Sequence, residues 1–103
     1  MSVIMTMRFT GDPAKLEAVA AERHDELTAI VGRAKEAGVI AHRFYGGDGK
    51  VMIVDEWPDA ESFQRFFEQQ RPHIEPLMQA VATSEPEIEF WTKLETGDEV
   101  GWS

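Results

Sequence analysis

The 103-residue chain contains no cysteine and no asparagine, and it has a single tyrosine. Without cysteine there is no disulfide, no thiolate nucleophile, and no thiolate-held zinc or iron–sulfur cluster. No apolar run approaches the roughly 20 residues that a membrane-crossing helix needs. Basic residues are also scarce: ten Lys and Arg stand against nineteen Asp and Glu, a net charge of −9. Such a field repels phosphate backbones and anionic lipid, so neither nucleic acid nor a membrane surface is an expected partner. The opening residues, "MSVIMTMRF", lack a basic region followed by a long apolar stretch, and a cytoplasmic location is the expectation.

What remains is the composition of a small globular domain, 43% hydrophobic and 28% charged. A chain of this size buries roughly two thirds of its extended surface, which is enough for one core. One domain is expected over 1–96, with an irregular tail at 97–103. Residues 2–10 alternate, with Val3, Met5, Met7 and Phe9 on one side, as in a strand. Asp12 and Pro13 then supply an N-cap and a first helical position. Leu16, Val19, Ala20, Leu27, Ile30, Val31 and Ala34 recur at helical spacing, predicting one helix over 13–37 that Gly38 stops. A hairpin follows, from "VIAHRFY" through a Gly-rich turn to "VMIVDEW". "PDAESFQRFFEQQ" (58–70) reads as a second helix with Asp59 as N-cap; Pro72 and Pro76 are expected to break or kink it. "PEIEFWTKLE" (86–95) alternates as a last strand, with Ile88, Phe90 and Leu94 on one side.

The order βαββαβ predicts an α+β, ferredoxin-like domain with a four-stranded antiparallel sheet, in which the third strand is central. Asp48-Gly49 is the strongest turn signal in the chain and suits a two-residue type I′ loop. With those two residues in the loop, His42 faces Asp55, Phe44 faces Ile53, and Ile40 faces Trp57. Opposed residues share a face, with β-carbons about 5 Å apart. One face then carries Ile40, His42, Phe44, Ile53, Asp55 and Trp57; the other carries Ala41, Arg43, Tyr45, Met52, Val54 and Glu56.

His42 and Asp55 are the residues with the clearest chemistry. A carboxylate beside an imidazole fixes its tautomer, which suits a general base; the same pair also serves simply to satisfy two polar groups at the edge of a core. Arg23, near the centre of the first helix's apolar face, either lays its stem over apolar surface or binds an anion in a cleft. Phe63, Phe66 and Phe67 form an aromatic stripe that, with Trp57, either fills the core or lines an apolar ligand pocket. His24 is a boundary residue, and His73 follows Pro72 where a cleft could form. The three histidines show no metal-binding spacing, so no metal site is expected. Trp102 in the tail is expected to be exposed or to clasp a neighbour.

The βαββαβ order, the "DEW" ending of the third strand, the following "PDAESFQRFF" and the later "RPHIEPLMQAV" resemble the dimeric α/β-barrel superfamily, and within it the antibiotic-biosynthesis-monooxygenase-like (ABM-like) proteins. The resemblance spans nearly the whole chain. It implies a homodimer whose two sheets pack into a barrel, with a cleft between each sheet and its helices for an apolar or aromatic small molecule. Several branches are oxygenases that use no cofactor, so the resemblance implies that activity as an expectation, for which the register-derived pair His42 and Asp55 supplies the candidate catalytic residues. Trp57 takes the place of the tryptophan that lines the cleft in the oxygenases, and Phe44, Ile53, Phe63, Phe67, His73 and Arg23 are the further candidate ligand contacts. Ile53 stands where the polyketide oxygenases have an active-site asparagine. A related branch degrades haem with an asparagine in the first strand and a histidine near the second helix. This chain offers His73 but no asparagine. The alternatives are therefore a non-catalytic ligand-binding or accessory dimer, and a haem-binding protein.

Overall fold

The computed structural model describes residues 1–102. Its elements are β1 (Val3–Thr10), α1 (Pro13–Glu22), α2 (His24–Ala37), β2 (Ala41–Gly46), β3 (Lys50–Trp57), α3 (Ala60–Gln79) and β4 (Glu87–Trp91). The strands form one antiparallel sheet in the order β2-β3-β1-β4, so β3 is central, and the fold is ferredoxin-like α+β. Among the described residues no helix is long and apolar enough to cross a membrane.

The hairpin register is the expected one: His42 lies opposite Asp55 and Phe44 opposite Ile53. The turn itself differs. Gly49 has a left-handed φ of 68°, but no described non-glycine residue has a positive φ, so Asp48 does not complete a type I′ turn. The loop is shaped instead by a tertiary contact: the Gly49 carbonyl accepts a 3.0 Å bond from the Gly11 amide at the end of β1.

Residues 13–37 are two helices rather than one. Arg23 leaves helical geometry at φ −111°, ψ 39°, although its amide still donates to the Val19 carbonyl and its own carbonyl accepts from Leu27. The physical reason is the sheet beneath. Val19 of α1 packs with Phe9, Val51 and Val81 at one end of the sheet. Ala34 of α2 packs with Met5, Met7, Trp57, Phe63 and Phe66 at the other. Because sheets twist, a straight helix would bury only one of these sets well. The capping expectations hold: the Asp12 carboxylate accepts from the Ala14 amide at 3.0 Å, and Gly38 closes α2 at φ 109°.

The second helix is longer than expected. α3 runs through both Pro72 and Pro76 to Gln79. Each proline removes one backbone donor, yet the helix is held down along its length by Phe63, Phe66, Ile74 and Met78 against the first core cluster. Tertiary packing outweighs the local penalty here. The last strand is shorter than expected, so Leu94 lies beyond it and is largely exposed. Trp102 is exposed, as one of the two expectations had it.

The helices cover one face of the sheet. The other carries Ile4, Thr6, Arg8, Met52, Val54, Glu56 and Trp91 in rows set by the register. There Arg8 pairs with Glu87 and Glu89, and the Trp91 indole donates to Thr6, while Trp91 and Tyr45 remain about half exposed.

Candidate functional site

A cavity of about 130 Å³ lies between the covered face of the sheet and the three helices. β1 contributes Met5 and Met7, β3 contributes Ile53 and Asp55, and β2 contributes His42 and Phe44. α2 closes one side with Leu27 and Ile30, and α3 closes another with Phe63 and Phe67. Every residue of β2, the edge strand on this side of the cavity, is exposed. Its wall is apolar apart from His42 and Asp55.

Those two groups are joined. His42 Nδ1 and Asp55 Oδ1 are 2.6 Å apart, and the Trp57 indole Nε1–H donates to Asp55 Oδ2 at 3.0 Å. Asp55 is 6% exposed and Trp57 fully buried, whereas the His42 side chain keeps 29% of its surface. The strand places these groups together because Asp55 and Trp57 are two residues apart on one face, and His42 is directly across. A buried carboxylate is tolerated when its oxygens are hydrogen-bonded, and here both have a partner.

The arrangement fixes the imidazole. An ionised carboxylate only accepts, so Nδ1 must carry the proton and donate it to Asp55. Nε2 is then the ring's lone-pair nitrogen, and no described protein group bonds to it. The ring is also braced edge-on by Phe44, with centroids 5.1 Å apart. An imidazole oriented this way, on the wall of an apolar cavity, can in its neutral form take a proton from a bound molecule.

The structure brings together His42, Asp55, Phe44, Ile53, Phe63 and Phe67 of the sequence-derived candidates. Trp57 sits behind the wall: it packs on Phe63 and Phe66 and holds Asp55. Arg23 is half-buried at the α1–α2 junction and does not line the cavity. His73 is exposed on α3 and is likewise outside it. His24 is exposed beside Thr28. Among the described residues no three His, Asp or Glu side chains are grouped to hold a metal ion. Sequence reasoning missed Met5, Met7 and Ile30 as wall residues, although their alternation and helical spacing already placed them on the covered face. It also missed the indole–carboxylate bond, which the shared face of Asp55 and Trp57 could have suggested.

No family model and no curated protein matches the chain. Solved structures do. SnoaB, a cofactor-independent oxygenase from Streptomyces nogalater, is 26% identical, with 95% of this chain and 98% of that one covered at a TM-score of 0.65. A monooxygenase from the gene ActVA-Orf6 of Streptomyces coelicolor, solved with the ligand nanaomycin D, is 15% identical over 91% of this chain and 88% of that one, with a TM-score of 0.67. A dimeric ferredoxin-like protein from an uncultured marine organism is 15% identical over 91% of this chain and 89% of that one, at 0.63. The last two show likeness of fold alone. The strand order and the near-complete overlap with SnoaB support the resemblance of this ferredoxin-like chain to the ABM-like proteins.

Proposed function

We propose that this chain is a homodimeric, cofactor-independent monooxygenase that takes an apolar or aromatic small molecule into the cleft between sheet and helices. The observation that carries the proposal is the Trp57–Asp55–His42 chain of hydrogen bonds on the wall of an apolar cavity. His42 Nε2 is the base, Asp55 holds its tautomer, and Trp57 holds Asp55. Removal of an acidic hydrogen makes the substrate an electron-rich anion that dioxygen, the second substrate, can oxidise. One oxygen atom remains on the substrate's carbon; the other leaves as water with two substrate hydrogens. The apolar wall limits side reactions with water. SnoaB, described as a cofactor-independent oxygenase, supports this chemistry. The dimer is supported by the uncovered sheet face, with its apolar Ile4, Met52, Val54 and Trp91, and by the neighbour described as dimeric. A cytoplasmic location belongs to the same proposal.

Oxygen uptake in air-saturated buffer with a panel of phenols and hydroquinones tests the proposal. Uptake that falls at least 100-fold in both His42→Ala and Asp55→Ala is expected. Unchanged uptake in the two variants overturns it. One observation favours a second reading, a ligand-binding dimer without turnover: Ile53 lines the cavity where the resemblance places a polar amide. Binding of a phenol without oxygen uptake by the wild type would select that reading. The haem alternative has no comparable support, since His73 lies outside the cavity.

A further inference from the structure

We infer that the cavity selects a neutral one-ring phenol, with its hydroxyl on His42 Nε2 and its ring among Phe44, Ile53 and Phe67. The inference rests on the proposed role of His42 and sharpens it into a substrate class. Three observations carry it, the first being size. The cavity measures about 130 Å³, and a dry apolar cavity of about 150 Å³ takes one benzene-sized ring. A fused second ring exceeds that volume. The second observation is charge. Among the described residues no lysine or arginine lines the cavity, and its one acidic side chain is the buried Asp55. A carboxylate or phosphate ligand would meet a like charge with no counter-ion, on a chain whose net charge is already −9.

The third observation is hydrogen bonding. Asp55 has both oxygens engaged, which leaves His42 Nε2 as the open position of the pair, and that atom accepts. A ligand suited to this cavity therefore brings one donor on an otherwise apolar frame. A phenol does so and also carries the acidic hydrogen that the proposed base would remove. Benzene lacks the donor, benzoate carries the wrong charge, and 1-naphthol is too large.

Calorimetric titration of the wild-type protein with phenol, benzoate and 1-naphthol tests this. Phenol should bind at least tenfold more tightly than either of the others. Phe67→Ala removes one face of the stacked Phe63–Phe67 pair and should abolish the discrimination against 1-naphthol. Phe44→Ala, at the exposed edge of the sheet, should reduce it without disturbing the core. Equal or tighter binding of 1-naphthol or benzoate by the wild type overturns the inference, as does no binding of phenol. His42→Phe, which keeps a ring and loses Nε2, separates this inference from the reading beneath it. Phenol affinity that falls tenfold in His42→Phe supports both. Retained size and charge selection with unchanged phenol affinity in His42→Phe removes His42 from the site and overturns the placement of the hydroxyl.

Discussion

Asp55→Asn separates the chemistry of the site from its architecture. The replacement has the same shape, and one orientation preserves both contacts. The indole of Trp57 can only donate, so the amide oxygen must take the position of Oδ2, 3.0 Å from Nε1. The amide NH₂ then occupies the position of Oδ1, 2.6 Å from His42 Nδ1. A donor there forces Nδ1 to accept, and the imidazole proton moves to Nε2. The proposed base is thereby capped by its own hydrogen. The stability cost is modest: two charge-assisted bonds become neutral ones, against relief of a buried charge, for a net loss of about 1–2 kcal/mol. In a domain of this size that lowers the Tm by roughly 5–15 °C. Turnover should fall far more, by at least ~100-fold; the same swap in a Ser-His-Asp triad costs about 10⁴.

The tautomer can be observed without any substrate, by long-range ¹H–¹⁵N correlation of the imidazole rings at about pH 8.5, well above the ordinary histidine value. The chain has three histidines, and His42→Phe assigns the one at issue. Wild-type His42 should be protonated at Nδ1 and the Asp55→Asn protein at Nε2. A wild-type ring protonated at Nε2, or a variant in which Nδ1 keeps the proton, would refute the assignment of base and orienting acid.

Other outcomes follow from the packing. A β-carbon on Gly11 would lie 2.8 Å from the Val81 carbonyl oxygen, whereas one on Gly32 in α2 would meet nothing within 4 Å. Gly11→Ala should therefore destabilise by about 1–3 kcal/mol and Gly32→Ala should stabilise by about 0.5–1 kcal/mol; denaturant midpoints of equal sign for the two would contradict the packing. Sedimentation at micromolar concentration should give the mass of two chains, and Val54→Glu on the uncovered sheet face should give one; a monomeric wild type counts against the barrel. The Asp59 carboxyl lies below the ordinary carboxylate value, chiefly through the Ser62 backbone N–H and then the Ser62 hydroxyl, with Arg65 adding its charge. A depressed folded value contributes stability above the unfolded pKa that disappears as pH falls through the folded one. Asp59→Asn keeps a capping oxygen and loses that pH dependence. The stability difference between the two proteins should shrink below about pH 4, and a constant difference would show that the charge contributes nothing at the cap.

The central place of β3 was legible from the βαββαβ succession, and the pairing of His42 with Asp55 because alternation and the Asp48-Gly49 signal act within a few residues. Several other features are set by partners distant in sequence. Nothing around Arg23 announces a helix break: there is no proline or glycine nearby, and the break arises where two core clusters pull two helical segments onto different parts of the sheet. Pro72 and Pro76 announce a break that does not occur, because α3 is fixed along its whole length from below. Asp48-Gly49 points to a type I′ turn, yet of the two only Gly49 is left-handed, and its carbonyl is tied to the Gly11 amide, a partner distant in sequence. The cavity's size and the tie between Trp57 and Asp55 depend on how side chains settle between layers, which periodicity does not encode.

The adjacent acids at the end of β3 show how much chemistry rests on register. Asp55 faces the helices, nearly buried, with an imidazole and an indole on its two oxygens. Glu56 faces the other way, where it accepts from the Ser2 hydroxyl. A slip of one residue would exchange their faces, placing the longer acid in the cavity and turning Trp57 out of the core. Apolarity alone would resist such a slip only weakly, because Met52 and Val54 are nearly as apolar as Val51 and Ile53. What fixes it is the length of the loop at Asp48-Gly49, the bond from Gly11 to Gly49, and the Trp57 indole, which is fully buried on the covered side and tied to Asp55. The turn therefore determines which carboxylate meets His42, and a hairpin variant that shifts the register by one should lose the His42 tautomer preference before it loses the sheet.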